Sequence, residues 1–396
     1  MKTIKNFLKK ETVLAIAAVL ALLSMSLVPP SMEYLDYVDF RTLGILLSLM
    51  IVMAGLRRTG FFDSVGRMLL LKAHRVWQLV LALLGLCFFF SMFITNDVAL
   101  LTFVPFTLIV LKQCGRKELL IPIVAYETVA ANLGSMLTPI GNPQNLYLYE
   151  LIKCSAGEFV LLMLPLAGMA ALLLAVSIFF YKSKKDELTI IRVMLTDAEK
   201  VPHLEDLQRD NSSNQNGNHR SRISARAKDI IFGVLFILAI LVVVRLIPWY
   251  VVLGVIVTAT LLIDRKTLIS VDYALIFTFI AFFVLIGNLG RVPEIAEMLE
   301  RMVSGREIIT GTLLSQIISN VPAALLLSGF TNEYRMLALG VNIGGLGTLI
   351  ASMASLISYK TLAHEENSMK GRYFLFFTAL NLLFLAILLP FALLLY

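Results

Sequence analysis

Two apolar runs of this chain are broken in the same way. Residues 132–146 read NLGSMLTPIGNPQNL and residues 342–356 read NIGGLGTLIASMASL. They align without a gap, pairing Asn132 with Asn342, Gly134 with Gly344, Thr138 with Thr348, Ile140 with Ile350 and Leu146 with Leu356. Small and hydroxyl residues interrupt the helical pattern in both copies. Irregular backbone at membrane depth is tolerated only where protein buries it or where it lines a wet cavity. Interruptions at matching places in two halves therefore point to a binding site at the interface of a repeated fold.

Composition places that fold in a bilayer. Hydrophobic residues make up 58% of the chain and charged residues 15%, too apolar for a soluble domain. The runs are continuous, not alternating, so they predict membrane helices rather than strands. The formal charge is +7, but Lys and Arg sit between the apolar runs, which fits lipid as the partner and excludes a nucleic-acid reading. Cys87, Cys114 and Cys154 are far apart with no metal spacing, and His74, His203, His219 and His364 fall in loops or at span ends. No HExxH, GxSxG or GxxxxGK[ST] motif is present, so neither an intramembrane hydrolase nor an ATP-driven machine is indicated. No cofactor is expected, and ion gradients remain as the source of energy.

The order of parts repeats. The first half, 1–181, runs through spans at 13–28 and 42–56, an amphipathic piece at 61–71, an apolar hairpin with Thr95-Asn96-Asp97 at its tip, the broken run 119–148 and a span at 159–181. Residues 182–228 are charged and then rich in Asn and Ser, the composition of a flexible linker. The second half, 229–396, has spans at 230–247, 250–263 and 273–289, an amphipathic piece at 293–303, a hairpin tipped by Ser319-Asn320-Val321-Pro322, the broken run 336–358 and a final span at 374–395. Val38-Asp39-Phe40 matches Val271-Asp272-Tyr273 at the start of equivalent spans. The run at 13–28 follows four lysines but ends in Pro29-Pro30 without a small-x-small cleavage pattern, so it reads as a retained helix rather than a signal peptide.

Charge sets the orientation. With the N-terminus in the cytoplasm and each hairpin re-entrant, Arg57, Arg58, Arg67, Lys72, Arg75, Lys112, Arg116, Lys117, Arg265, Lys266, Lys360, Lys370 and Arg372 all fall inside, as does the linker, and the C-terminus lies outside. An odd number of crossings then separates the equivalent spans, and the two repeats are inverted. The fold class expected is an all-α polytopic membrane protein of about nine transmembrane helices, two re-entrant hairpins and two broken helices.

A helix broken mid-membrane offers free N–H groups to anions on one side and free carbonyls to cations on the other. In the first break Thr138, Gly141, Asn142, Pro143 and Asn145 are the candidate substrate- and ion-binding residues; Thr348, Ser352 and Ser355 are their counterparts in the second. Thr95, Asn96, Ser319 and Asn320 are expected to line the same cavity or to cap the returning half-helices. Asp97 and Glu127 are ionisable groups within apolar runs, where such groups default to function. Asp97 suits a sodium ion or a proton, and Glu127 reads as a second ion-linked acid, a buried partner for a base or a group in a cytoplasmic vestibule.

At these residues the chain resembles the ion transporter superfamily, which groups divalent anion/sodium symporters, citrate transporter-like proteins and arsenite permeases. Its tips read Thr-Asn-Asp and Ser-Asn-Val where the symporters carry Ser-Asn-Thr. The Asn-Asp tip is similar to the arsenite permease and sodium/proton antiporter branches, and Gly141-Asn142-Pro143 to the anion transporters. The resemblance implies alternating access, sodium or proton coupling at hairpins and breaks, a small anionic substrate and a homodimer with an elevator-like moving part. The expected function is a gradient-coupled anion transporter of the cell membrane. An arsenite or cation/proton antiporter of the same architecture is the alternative, and a passive channel a more distant one.

Overall fold

Two interrupted helices and two sharp hairpins organise a helical chain. The computed structural model describes residues 11–70, 75–179 and 225–396. In chain order the α-helices are α1 (Thr12–Ser24), α2 (Tyr34–Tyr37), α3 (Phe40–Arg58), α4 (Phe61–Leu70), α5 (Val76–Ile94), α6 (Asn96–Gln113), α7 (Leu120–Ser135), α8 (Pro143–Ile152), α9 (Ala156–Phe179), α10 (Ala225–Val243), α11 (Trp249–Ile263), α12 (Arg265–Ile269), α13 (Tyr273–Gly290), α14 (Pro293–Val303), α15 (Glu307–Ile318), α16 (Asn320–Ser328), α17 (Tyr334–Ile343), α18 (Met353–Glu365) and α19 (Lys370–Leu395). No β-strand occurs among the described residues. By length and composition α3, α5, α6, α9, α13 and α19 can each cross a membrane, and α1, α11 and α15 are shorter apolar helices. The protein is a multi-pass, all-α membrane protein. The expected linker at 182–228 lies outside the described residues except for its last four, which are helical in α10 or open it.

The matched Asp39 and Asp272 do the same local work. Each is the N-cap of its span: Asp39 accepts from the Thr42 N–H of α3 at 3.0 Å, and Asp272 from the Ala274 N–H of α13 at 3.1 Å. Helix packing then sorts the chain into two groups. α1 lies along α13, and α3 packs against α10 and α11. Gly44 and Gly55 of α3 leave room for the rings of Trp249 and Phe232 where a Cβ would stand. In the second group α5 packs on α7 and α6, α15 on α17 and α16, α18 on α6 and α7, and α19 on α7 and α9. The groups meet where α3 touches α8 and α13 touches α16.

Helix lengths set the depth of the hairpin tips. At ~1.5 Å per residue, α7 and α8 reach ~24 and ~15 Å from their shared break. The tip joining α5 to α6 is hydrogen-bonded into that break, so the hairpin stops well short of the far end of α8. The arms of the second hairpin, α15 and α16, are ~18 and ~14 Å long, too short for a hydrocarbon core of ~30 Å. The first hairpin differs: α5 and α6 are each long and apolar enough to span by themselves, and their shared tip is hydrogen-bonded to the break.

Candidate functional site

Each tip is one residue, not the three or four that sequence alone implies. Thr95 (φ 69°, ψ 148°) and Ser319 (φ 77°, ψ 155°) turn the chain alone, in a region that side chains other than glycine rarely enter. Neither hydroxyl caps the helix it precedes. The next residue does so instead: Asn96 Oδ1 accepts from the Asp97 N–H at 3.0 Å, and Asn320 Oδ1 from the Val321 N–H at 2.9 Å. Asn96, Asp97 and Asn320 thus belong to the first turns of α6 and α16.

The tips are tied to the breaks by matching bonds. The Asn96 N–H donates to the Gly141 carbonyl at 3.2 Å, and the Asn320 N–H to the Ala351 carbonyl at 2.9 Å. Gly141 and Ala351 hold the same place in the aligned motif. Thr138 donates its hydroxyl to the Met92 carbonyl, and Thr348 to the Gln316 carbonyl at 3.0 Å. Met92 and Gln316 each lie three residues before their tip. Gly134 and Gly344 press against the first hairpin arms: a Cβ on Gly134 would strike the Phe88 carbonyl and Ser91, and one on Gly344 would strike Ser315 and Thr312.

The two breaks then grip each other reciprocally. Asn132 accepts from the Ser352 hydroxyl at 3.0 Å and donates to the Ser355 hydroxyl at 3.3 Å. Asn342, its counterpart, accepts from Asn142 at 3.1 Å and donates to Asn145 at 2.6 Å. Asn142 aligns with Ser352 and Asn145 with Ser355, so each Asn reaches the same two places in the other copy. Asn96 joins this cluster by donating to Asn132 Oδ1 at 2.9 Å. The structure therefore brings Asn96, Asn142, Asn145, Ser352 and Ser355 together in one buried network, with Gly141 and Asn320 bonded beside it.

Breaking a helix strands its last carbonyls, and the copies satisfy them differently. In the first break the Asn145 amide donates to the carbonyls of Ser135, Met136 and Thr138 at 3.1–3.3 Å. In the second, Gln316 on α15 donates to those of Gly344 and Leu346 at 2.9 and 2.8 Å. Pro143 opens α8 at a position that needs no N–H. Sequence reasoning missed Gln316 as well as the central roles of Asn132 and Asn342. The two asparagines were marked by their alignment; Gln316 carried no mark, because Met92 stands in its place in the first copy.

The candidate acids lie apart from this network. Glu127 is buried in α7, takes a 2.5 Å hydrogen bond from Thr107 of α6 on Oε1, and has no partner on Oε2. Asp97 is half-buried in α6, with Asp272 within electrostatic reach. A cleft beside the second tip is lined by Glu11, Asp272, Thr278, Val321, Pro322 and Met353. Among the described residues no group of His, Cys, Asp or Glu is arranged to hold a resident metal.

Comparison with known proteins gives this geometry a setting. The family model described as citrate transporter matches residues 4–334. An uncharacterized transporter of Methanocaldococcus jannaschii is 34% identical over 375 residues, covering 94% of each chain. The inner membrane protein YbiR of Escherichia coli is 28% identical over 82% of this chain and 80% of its own. A silicon efflux transporter of Oryza sativa is 32% identical over a shorter stretch, 37% of this chain and 30% of its own.

Proposed function

The chain belongs to the citrate transporter family of membrane transporters, and from that premise we propose that it is a secondary active transporter of a small anion, coupled to sodium or protons. The observation that carries this reading is the reciprocal grip of the two breaks. Asn132 on Ser352 and Ser355, and Asn342 on Asn142 and Asn145, are related as a two-fold axis would relate them. Such an axis in the membrane plane makes the copies inverted repeats, divided near the 182–228 segment, and this is the architecture of alternating access. The segregation of Lys and Arg supports the same placement, with N-terminus and linker in the cytoplasm and C-terminus outside.

In this reading the tips Thr95–Asp97 and Ser319–Asn320 and the breaks Thr138–Asn145 and Thr348–Ser355 surround the transported species. The N-terminus of α8 faces the anion. Asp97, or Glu127 with its one idle oxygen, holds the coupling ion. The two helix groups meeting at α3–α8 and α13–α16 supply the surfaces that move past each other.

Uptake into proteoliposomes under separately imposed sodium and proton gradients tests the proposal. Anion flux that follows one of the gradients is expected, and Asp97→Asn should lower coupled flux while leaving thermal stability near that of the wild type. Flux indifferent to both gradients sinks the coupling. One observation favours a second reading: among the described residues, the lining of the cleft beside the second tip includes the carboxylates of Glu11 and Asp272. That lining suits a cation, as in a cation/proton antiporter, and collapse of a preset pH gradient on adding sodium without any anion would favour it.

A further inference from the structure

Gln144 is the side chain for which the polar centre provides no partner. It is the second residue of α8, it is 1% exposed, and neither its Nε2 nor its Oε1 makes a hydrogen bond. Its neighbours are differently placed. Asn142 caps α8 through its Oδ1 and reaches Asn342 through its Nδ2. Asn145 serves three carbonyls and Asn342. At the aligned place the second copy has Ala354, which is fully buried, so a methyl group meets the packing need there. A buried amide that forgoes all its hydrogen bonds destabilises the fold around it. Its partner is to be sought outside the chain.

The surrounding backbone defines that partner's chemistry. Pro143 has no N–H, and the Asn145 N–H is taken by the Asn142 cap. The N–H of Gln144 lies at the positive end of a ten-residue helix, where N–H groups have no intrahelical acceptor. Helical side chains lean towards their N-terminus, which carries the Gln144 amide over this same end. Tyr147 is three residues on and shares its face; its hydroxyl meets Ser328 of α16 at 2.8 Å. That face of α8 is thus turned to the second hairpin.

We infer that Gln144 and the N-terminus of α8 form a recognition element for the transported species, and that this species is an oxyanion bearing a hydroxyl: a hydroxycarboxylate or a partly protonated inorganic oxyanion. The inference rests on the anion-transport reading and narrows it. The backbone N–H, the helix dipole and Nε2 take the charged oxygen. Oε1 is an acceptor, and only a donor on the ligand uses it. An anion without a hydroxyl leaves Oε1 buried and unpaired, the situation in which a polar site discriminates most strongly.

The test compares anion-induced thermal stabilisation of the purified full chain for wild type, Gln144→Leu and Gln144→Ala. The probes are citrate against tricarballylate and malate against succinate, pairs that differ by one hydroxyl, together with inorganic phosphate. In the wild type the hydroxylated member of a pair, or phosphate, is expected to stabilise more. Both variants should bind it about tenfold more weakly or worse and lose the hydroxyl preference. Their unliganded Tm should equal or exceed that of the wild type, since the unpaired amide is gone. A lowered unliganded Tm with binding and preference intact overturns the assignment and makes Gln144 structural. Anion binding without hydroxyl preference, unchanged in Gln144→Leu, overturns it while the anion reading stands. A wild type that no anion stabilises overturns both.

Discussion

Thr95 and Ser319 show how much local strain the centre of this molecule holds. Both sit at positive φ with extended ψ, a conformation that costs a side-chain-bearing residue ~1–3 kcal/mol. Glycine removes that cost and gives back ~0.5–1 kcal/mol through the freer unfolded chain. Ser319→Gly is therefore expected to raise stability by ~1 kcal/mol, and Ser319→Val to lower it, since a β-branched residue is a genuine outlier there; thermal unfolding in detergent reads both. A drop in stability on the glycine change would show that the Ser319 hydroxyl, 3.4 Å from the Ala351 carbonyl, outweighs the strain. Glycines give a second contrast at the same scale. Gly134 has backbone where a Cβ would stand, whereas Gly85 on α5 has open space. Gly134→Ala should cost ~2–3 kcal/mol by overpacking, and Gly85→Ala should be neutral or gain up to ~1 kcal/mol of helix propensity. Equal effects would mean that α7 can back away from α5.

Among the elements, α8 is held at both ends by different chemistry. Its start is gripped by the amide network, and its end by charge. Glu150 Oε2 lies 3.0 Å from Arg41 Nε of α3 and 3.6 Å from an Arg245 nitrogen just past α10. The Arg41 contact is an ion pair whose N–H is not aimed for a hydrogen bond. Arg245 also lies over the Tyr149 ring, 5.3 Å from its centroid. This triad joins the helix group of α3 and α10 to the group carrying both breaks. Glu150 is mostly buried, but the two arginines are more than one-third exposed, so screening discounts the pair. Glu150→Gln should lose ~1–2 kcal/mol, and the loss should shrink at high salt; a loss insensitive to salt would assign it to packing. None of this triad was legible in the sequence, because its members lie on three separate elements. The breaks were legible because Pro, Gly and hydroxyl residues interrupt an apolar pattern where they stand. Their filling was not: the amide that satisfies the second break comes from Gln316, 28 residues before the Gly344 it serves, and periodicity has no record of such a contact. The hairpins were found by their asparagines but drawn too wide, since a one-residue reversal depends on a backbone state that composition does not announce.

At the scale of the whole molecule, the reciprocal contacts are those that a two-fold exchange of the copies would produce, and they are compatible with either of two axes. An axis in the membrane plane inverts the copies, and an axis along the normal keeps them parallel, with the same Asn132–Ser352 and Asn342–Asn142 bonds in either case. The proposed inverted arrangement is the one that puts the Arg57–Arg58, Arg116–Lys117 and Arg265–Lys266 turns on one side, as the orientation bias of Lys and Arg favours. Equivalent positions then provide a direct measurement. Met32 precedes α3 and is 86% exposed, and Ile269 precedes the matching helix α13 and is 81% exposed. Cys87 and Cys154 are buried and Cys114 is partly exposed, so Cys114→Ser gives a quiet background. In sealed cells an impermeant maleimide should label Met32→Cys and leave Ile269→Cys untouched until the membrane is opened. Labelling of both from the outside would lay the axis along the normal and bring the two hairpins in from one face.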